Sequence, residues 1–422
     1  MYKKETLSNG IRIITHPMPN RQSVSMGIWI KVGGRYEEQK IKGAAHFIEH
    51  LLFKGSRRYS CRKIKESIEG VGGSLNGFTS EEVTCFLVKI PGRFIDLALD
   101  VLSDMVINPL FLSADIEKER TVILEEIKMY RDLPQSYVHE LLDELLWPDQ
   151  PLGQSILGTA ESIGRMHRDD LMNFKRSNYT PLNIVISAAG AFDQKDLLIR
   201  TERIFSGLRG KNINVPLKAR EEQDEPLLKI LAKDTEQTHL ALGFHSFKRD
   251  HPLKHALGLL NVVLGANMSS RLFNEVREKR GLAYEIGTQV KRFQDTGAFV
   301  VHAGIDNNKV ADCIALILKE LSRIKKGLVS EDEFRRAKDF YLGQLQLSLE
   351  DTLDNMLWIG ETLLTQDKTY TLADIIEEVR AIKRQDMCKA AIEILSKNNL
   401  NLALIGPIKE KEKRIYNLFK LI

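Results

Sequence analysis

The segment GAAHFIEHLLFKGS, residues 43–56, places two histidines and a glutamate within an otherwise apolar run. On an α-helix, residues four positions apart lie on one face, so His46 and His50 would point the same way. Glu49, three positions after His46, would lie beside them. Two imidazoles at this spacing can bind one Zn²⁺ at about 2.0–2.1 Å each. The alternative is two core histidines bonded to backbone carbonyls, but three polar groups on one face favour a metal site.

A catalytic zinc site needs a third protein ligand and one open position, and a second acidic segment offers candidates. In IEKERTVILEEIKMY, residues 116–130, Glu119 and Glu126 are seven positions apart. Seven steps of about 100° return to within about 20° of the start, so both would share a helix face, whereas Glu125 would point elsewhere. Spacing alone leaves the third ligand open between Glu119 and Glu126.

The elements that must hold these side chains follow from hydrophobic periodicity and turn residues. Asn9-Gly10 before an alternating apolar run predicts a β-hairpin. The segment SLNGFTSEEVTCFLVKI predicts a strand over 74–90, and NIVISAAGAF predicts another over 183–192. Helical periodicity predicts four helices in the first half of the chain, over 43–54, 61–70, 94–106 and 114–130.

The sequence indicates that the chain consists of two diverged copies of one unit. Residues 207–226 lose periodicity and gain Gly, Pro and charge, which indicates a linker. On either side, SNYTPLNIVISAAGAF is echoed by SKNNLNLALIGPI near the end of the second half. We expect a domain over 1–210, a linker over 211–226 and a domain over 227–422. The predicted fold is α+β, with two homologous domains that each pack helices on one face of a mostly antiparallel sheet.

Composition narrows the function classes. The net charge is +4, and the basic residues are scattered among acidic ones, so no nucleic-acid partner is expected. No apolar run is long enough for a membrane span, and the N-terminus lacks the apolar core of a secretory signal. We therefore expect a cytoplasmic protein, or a protein of an organellar matrix if a transit peptide has been removed. The four widely spaced cysteines suit a reducing compartment.

Several segments together resemble the insulinase/pitrilysin family of zinc peptidases, and in particular its bacterial members similar to the β-subunit of the mitochondrial processing peptidase. The resemblance covers nearly the whole chain. The matching segments, in order, are NGIRIITHPMP, GAAHFIEHLLFKGS, VGGSLNGFTSEEVTC, EKERTVILEEIKMYRDLP, LGQSILGTAESI and YTPLNIVISAAG.

The resemblance implies a role for each candidate residue. His46, His50 and Glu126 would hold one zinc ion per chain, Glu49 would be the general base, and Glu119 would support the site. Arg277 and Tyr284, in NEVREKRGLAYEIG, would act on the substrate from the second half. The strand that lines the cleft in the family would contain Leu75, Asn76, Gly77 and Phe78. Gly77 departs from the alanine usual in the family.

These roles imply a zinc-dependent endopeptidase that hydrolyses extended or unfolded peptides, including presequence-like ones, inside a closed chamber. The family's architecture implies that each chain is half of a clamshell and that chains of this size pair, here as a homodimer. The second half lacks the His-Glu-His trio, since its aligned region reads HALGLLNVVLGANMSSRLF. The alternative is a non-catalytic or partner-dependent structural subunit of a processing-peptidase-like complex.

Overall fold

The computed structural model describes residues 2–408 and 412–422, which form two compact units that exchange segments along the chain. The first unit contains the residues up to Lys128 together with Ser155–Leu217 and Gln346–Ala373. The second contains Met129–Gln154, Lys218–Leu345 and the residues from Asp374 onward. The contiguous domains predicted from the sequence follow chain order, whereas packing places one segment of each half in the other unit.

Each unit is built around one β-sheet. The strands are β1 Lys3–Thr6, β2 Arg12–Pro17, β3 Ser23–Ile30, β4 Ser74–Thr79, β5 Thr84–Pro91, β6 Ile184–Gly190, β7 Leu227–Ala232, β8 Gln237–Ser246, β9 Ala283–Arg292, β10 Gly297–Asp306 and β11 Leu400–Gly406. The helices are α1 Ala44–Leu52, α2 Cys61–Glu69, α3 Ile95–Ile107, α4 Ser113–Asp132, α5 Pro134–Leu146, α6 Ala160–Arg165, α7 Arg168–Asn178, α8 Gln194–Phe205, α9 Lys254–Leu264, α10 Val310–Lys325, α11 Glu331–Ser348, α12 Thr352–Gln366, α13 Leu372–Ala381, α14 Arg384–Ile394 and α15 Glu412–Leu418.

The two sheets share one topology, which confirms the predicted α+β duplication. The first sheet has the order β1-β2-β6-β3-β5-β4, and the second has the order β7-β11-β8-β10-β9. In each sheet one pair is parallel, β2 with β6 and β7 with β11, and the other pairs are antiparallel. Without β1, the first sheet therefore matches the second strand for strand.

The Asn9-Gly10 turn lies between the antiparallel strands β1 and β2, as predicted, and Gly10 has φ +97°. The prediction of one strand over 74–90 is wrong, because two antiparallel strands, β4 and β5, occupy this segment. They are joined through Ser80 and Val83, whose backbone groups bond across the turn, Ser80 N to Val83 O at 2.8 Å. This hairpin makes β4 the edge strand of the first sheet.

Helix α1 presents an apolar arc to the core, where it packs with the inner faces of β3, β5 and β6. Phe47, Ile48, Leu51 and Leu52 are almost fully buried in this core. The remaining arc of the helix contains His46, Glu49 and His50. Core packing therefore fixes the helix and turns the polar trio away from the apolar interior.

The prediction of helices on one face of each sheet omits one helix in each unit. Helix α12 packs on the opposite face of the first sheet, where Met356, Ile359 and Leu363 contact Trp29 and Val185. Helix α5 covers the second sheet in the same way, with Leu142 and Leu146 in that core. Burial of these apolar faces explains why each of the two segments packs on the sheet of the other half of the chain.

Among residues 2–408 and 412–422, no helix combines the length and the apolarity that crossing a bilayer requires.

Candidate metal centre

The N-terminus of α1 is capped by a side chain from the preceding loop. Glu37 accepts hydrogen bonds from Gly43 N at 2.8 Å and from Ala45 N at 2.7 Å. Gly43 has φ +93°, and a Cβ there would lie 2.6 Å from a backbone oxygen, so the turn requires glycine. Burial raises the pKa of Glu37 to about 7, an effect that the buried Lys42 ammonium, 3.6 Å away, partly offsets.

Three side chains converge where the polar arc of α1 meets α4. Glu126 Oε2 lies 3.7 Å from His46 Nε2 and 3.7 Å from His50 Nε2. One ligand atom of each of these three residues lies within 4.8 Å of the others. Among the residues that the structure describes, this is the one group of histidines, cysteines and carboxylates close enough to hold a metal ion. The structure thus separates the two acidic candidates that spacing left open.

Glu119, one heptad before Glu126, lies behind the cluster. Its Oε2 is 3.1 Å from His50 Nδ1, and its Oε1 is 2.6 Å from Lys54 Nζ. Glu119 is 2% exposed. A carboxylate bonded to Nδ1 fixes the ring orientation and leaves Nε2 free to act as a ligand. Lys54 supplies a positive charge that offsets burial of this carboxylate.

Glu49 projects beside the cluster and is held from the sheet. Thr79, the last residue of β4, donates a hydrogen bond from Oγ1 to Glu49 Oε2 at 2.7 Å. Burial raises the pKa of Glu49, and the Thr79 hydrogen bond and the charge of His50 oppose this effect. A carboxyl group with a raised pKa and a fixed orientation suits proton transfer near neutral pH.

The protonation states suit metal binding. Burial, with the charge of His50, lowers the pKa of His46 to about 3, so its imidazole is neutral at pH 7. Burial raises the pKa of Glu126, and the neighbouring His50 lowers it. A divalent cation would reverse the burial effect on this carboxylate, because it stabilises the anion.

The donor set fits zinc. Two imidazole nitrogens and one carboxylate oxygen form the His₂Glu set known in catalytic zinc sites. Tetrahedral ligands at about 2.0–2.1 Å from a metal lie roughly 3.3 Å from one another, somewhat closer than the 3.7 Å separations here. A small inward movement of the side chains would therefore complete a site with one open position.

The predicted substrate strand lies in β4, which, among the strands within residues 2–408 and 412–422, pairs only with β5. Leu75 is opposite Val88, and Phe78 is opposite Cys85. Phe78 is 37% exposed and contacts Trp29 edge to face. Thr79 continues this strand, so one strand contributes both a free edge and the hydrogen bond to Glu49.

Two further predicted site residues, Asn76 and Gly77, lie in the same strand. Asn76 Oδ1 accepts a hydrogen bond from Gly77 N at 2.8 Å. A Cβ on Gly77 would approach the Phe53 ring at 3.1 Å, so an alanine here would need a shift of a few tenths of an ångström. The glycine in place of alanine therefore accommodates a close aromatic neighbour.

Arg277 and Tyr284 lie together in the second unit. Arg277 belongs to a turn of π-helix over Phe273–Glu278, and Tyr284 is the second residue of β9. The Arg277 guanidinium carbon lies 5.4 Å from the centre of the Tyr284 ring and 4.7 Å from that of Phe273. Tyr284 is 74% exposed, so its hydroxyl is available to solvent or to a ligand.

Sequence reasoning missed three supporting residues, namely Glu37, Lys54 and Thr79. Lys54 follows His50 by four positions, a spacing that could have suggested a neighbour on the helix surface. Thr79 directly follows the predicted substrate strand, but no pattern linked it to Glu49. Glu37 acts across a loop, and no local sequence signal identifies it as a cap.

Comparison with known proteins gives a consistent picture. The family model described as Insulinase (Peptidase family M16) matches residues 12–160, and the model described as Peptidase M16 inactive domain matches residues 165–341. A protein named as the uncharacterized zinc protease YmxG of Bacillus subtilis is 37% identical over 96% of this chain and 98% of its own length. An uncharacterized zinc protease of Streptomyces coelicolor is 35% identical over 97% of this chain and 90% of its own length.

Solved structures share the fold. A protease from Helicobacter pylori superposes with a TM-score of 0.92 at 23% identity, covering 96% of this chain and 99% of that one. A chain of Complex III2 from Candida albicans superposes with a TM-score of 0.84 at 20% identity, covering 99% of each chain. The two family models and the full-length relatives show that the chain belongs to the insulinase family of peptidases, family M16.

Proposed function

We propose that this chain is a zinc-dependent endopeptidase of the His-x-x-Glu-His type that hydrolyses extended or unfolded peptides. The observation that carries the proposal is the convergence of His46 Nε2 and His50 Nε2 on Glu126 Oε2, at 3.7 Å each. These three residues would hold one zinc ion per chain. When bound, zinc supplies the charge that acidifies a water molecule and polarises a scissile carbonyl.

The chain's own residues would then move the protons. Glu49, fixed by Thr79 and with a raised pKa, accepts the proton that the attacking water loses. It later gives this proton to the leaving amine. Glu119 keeps the His50 ring oriented during the reaction.

We propose that the peptide adds as an extended strand along the free edge of β4, at Leu75–Phe78. Main-chain hydrogen bonds would provide much of the binding, which predicts broad tolerance of substrate sequence. Presequence-like peptides would be included among the substrates. Arg277 and Tyr284 would donate hydrogen bonds to the substrate or to the developing oxyanion.

The proposal includes a cytoplasmic homodimer that encloses a chamber, which the family resemblance supports. Size-exclusion chromatography with light scattering, combined with a cleavage assay on the isolated protein, tests the assembly. An active dimer agrees with it. A chain that cleaves only after another protein is added contradicts it.

Cleavage of a fluorogenic peptide library, with and without a chelator, tests the reaction itself. We expect the chelator to abolish cleavage and added zinc to restore it. The Glu49→Gln variant should retain zinc and lose roughly 10²–10⁴-fold in rate, because the proton acceptor is gone. Turnover at the wild-type rate in this variant would exclude Glu49 as the base.

Two neighbouring glutamates give a matched test of the third ligand. Glu126→Gln should lower the zinc-to-protein ratio measured by elemental analysis. Glu125→Gln removes the same charge from an exposed neighbour that pairs with Lys128, and should leave zinc content unchanged. Equal zinc content in both variants would place the third ligand elsewhere.

The second candidate function is that of a non-catalytic or partner-dependent subunit of a processing-peptidase-like complex. Its support is the likeness in fold to a chain of Complex III2 from Candida albicans. The retained His-Glu-His trio and Glu126 favour the peptidase, because a purely structural subunit does not need these groups. A zinc-loaded chain with no cleavage of any library peptide would favour the subunit.

A further inference from the structure

A groove in the second unit combines exposed leucines with an excess of positive charge. It has a volume of about 820 Å³ and lies along α10, the loop before β9 and the C-terminal Leu421. This volume is within the range of small-molecule sites, roughly 300–1,000 Å³. The groove is remote in sequence from the His-Glu-His trio and shares no residue with it.

One face of α10 forms the wall of the groove. The groove is lined by Leu316, Lys319 and Arg323 of α10 and by Lys326 directly after its last residue. These residues recur every three or four positions, the spacing of one helix face. The helix presents leucine near its middle and cations towards its C-terminal end. An extended ligand could therefore place an apolar part and a charged part along the same wall.

The charges in the groove are unevenly distributed. Four cations line it, Arg280, Lys319, Arg323 and Lys326, against one acid, Asp312. Asp312 Oδ1 lies 3.5 Å from the oppositely charged Arg414, and both side chains are exposed. The whole chain, in contrast, has nearly equal numbers of basic and acidic residues, 61 and 57.

Two of these four cations pair with a glutamate of their own segment. Arg280 pairs with Glu275, and Arg323 pairs with Glu320. Among the residues whose side chains the structure describes, 2–408 and 414–422, Lys319 and Lys326 form no ion pair. Their ammonium groups therefore remain available to an anion.

The apolar part of the groove is open to solvent. Leu328 is 53% exposed and Leu421 is 46% exposed, and both line the groove together with Leu282 and Leu316. Exposed leucines beside Lys319 and Lys326 would be covered well by a molecule with an alkyl chain and an anionic head. Burying such apolar area contributes roughly 25 cal/mol per Å².

We propose that this groove binds a small amphipathic anion, an alkyl chain that ends in a carboxylate or a phosphate. The head would contact Lys319 and Lys326, and the chain would lie against the leucines. The bound molecule would also contact Arg280 and Leu282, which belong to the segment that joins Arg277 to Tyr284.

Isothermal titration calorimetry on the full chain tests this proposal with three probes of equal chain length below their micellar concentrations. Decanoate and decyl phosphate have the proposed heads, and decyltrimethylammonium has the opposite charge. We expect one site per chain for at least one of the two anions and at least tenfold weaker binding of the cation. Binding of decanoate identifies a carboxylate ligand, and binding of decyl phosphate alone identifies a phosphate ester.

Charge reversal locates the site. The double variant Lys319→Glu/Lys326→Glu should weaken anion binding at least tenfold, about 1.4 kcal/mol. Lys325→Glu changes a charge on the same helix outside the groove. This variant should bind the anion with an affinity within twofold of that of the wild type. Equal binding of all three probes, or unchanged binding by the double variant, overturns the proposal.

A membrane surface would be a different occupant with similar chemistry. Co-sedimentation with vesicles that contain phosphatidylserine separates the two. Binding to vesicles without binding of monomeric decanoate or decyl phosphate would overturn the proposal of a small-molecule site. Calorimetry does not depend on peptide cleavage, so its result is independent of the proposed peptidase activity.

Discussion

At the scale of single residues, the candidate site is a chain of contacts rather than a set of ligands. His50 touches Glu126 through Nε2 and Glu119 through Nδ1, and Glu119 in turn contacts Lys54. In this series, Glu119 orients the His50 ring, and Lys54 holds Glu119 in place. Lys54 Nζ lies 2.6 Å from the buried Glu119 carboxylate and supplies its counter-charge.

Lys54→Met tests this chain of contacts. We expect zinc affinity to fall about 10–100-fold, because Glu119 loses its counter-charge and no longer orients His50 firmly. Lys54→Arg keeps the charge and should recover much of the affinity. Competition with a zinc-binding dye measures both variants. Equal affinity of Lys54→Met and the wild type would show that Glu119 supports His50 without help from Lys54.

The sequence could predict the residues of the trio, because helical spacing places His46, Glu49 and His50 on one face. It could not decide between Glu119 and Glu126, since both lie on the same face of α4. That decision depends on how α4 packs against α1, which is a tertiary property. The contact of Thr79 with Glu49 also depends on tertiary structure, because it joins a strand end to a helix.

At the scale of elements, α1 depends on a cap that its own sequence does not contain. Gly43 has no side chain to accept hydrogen bonds, and Glu37 supplies both acceptors instead. His46 is the third residue of the helix, directly after the capped turn. Loosening this turn would move His46 relative to His50.

Glu37→Gln should weaken zinc binding beyond any loss of stability, because an amide oxygen can replace only one of the two acceptors. Glu82→Gln is the matched control, since Glu82 is equally buried and pairs with Arg35 at 2.7 Å. Breaking either buried pair can cost about 3–5 kcal/mol of stability. Zinc affinity should be measured where urea unfolding shows both variants to be folded. Equal loss of affinity in the two variants would indicate a general structural effect.

Most elements could be predicted from periodicity. The helices expected over 43–54, 61–70, 94–106 and 114–130 are present, and none of their ends differs from the prediction by more than two residues. The segment 74–90 was harder, because its turn residues, Ser80 to Val83, include two glutamates and no glycine or proline. Without a strong turn signal, two short strands resemble one long strand.

At the scale of the whole molecule, each sheet is completed by a helix from the other half of the chain. The sequence suggests a duplication, but it contains no signal for this exchange, since α5 and α12 read as ordinary apolar helices. Gly360 permits the close approach of α12. A Cβ there would lie 2.2 Å from Trp29 Nε1 and 2.6 Å from Ser187 Oγ, which are hydrogen-bonded to each other.

Gly360→Ala should therefore destabilise the protein by about 1–3 kcal/mol, the usual effect of overpacking. Gly343→Ala in α11 meets nothing within 4 Å and should be neutral or stabilising by up to about 1 kcal/mol. Urea unfolding measures the free energy of unfolding of both variants. Equal stability of the two variants would show that α12 can shift away from the sheet at little cost.

The buried histidines predict how stability depends on pH in the metal-free protein. Burial lowers the pKa of His46 to about 3 and the pKa values of His139 and His245 to about 4. Between pH 6.5 and 4 the unfolded chain binds protons that the folded chain does not, so acidification should lower stability. Glu37, with its pKa raised to about 7, opposes this trend, and so do three further carboxyl groups with raised pKa values, Glu49, Glu126 and Glu221. Burial also lowers the pKa values of four further histidines, His16, His239, His255 and His302, so seven histidines act against four carboxyl groups.

Urea unfolding of the metal-free protein at pH 7, 6 and 5 tests the direction in which the free energy of unfolding changes with pH. Stability should fall at each step, and His245→Gln should make the decline shallower. Stability that rises on acidification from pH 6.5 to 5 would contradict the expectation.

The exchanged helix α12 also sets the order of events during synthesis. The first sheet is complete in sequence once β6 leaves the ribosome, but the helix that covers its second face begins only at Thr352. At a synthesis rate of roughly 5–20 residues per second, that face of the sheet remains uncovered for about ten to thirty seconds before α12 is synthesised. During this time Trp29, Val185 and their neighbours would be exposed on the nascent chain. The half with the candidate metal site must therefore finish folding after translation is nearly over, and chaperones that bind apolar surfaces have a defined interval in which to protect it.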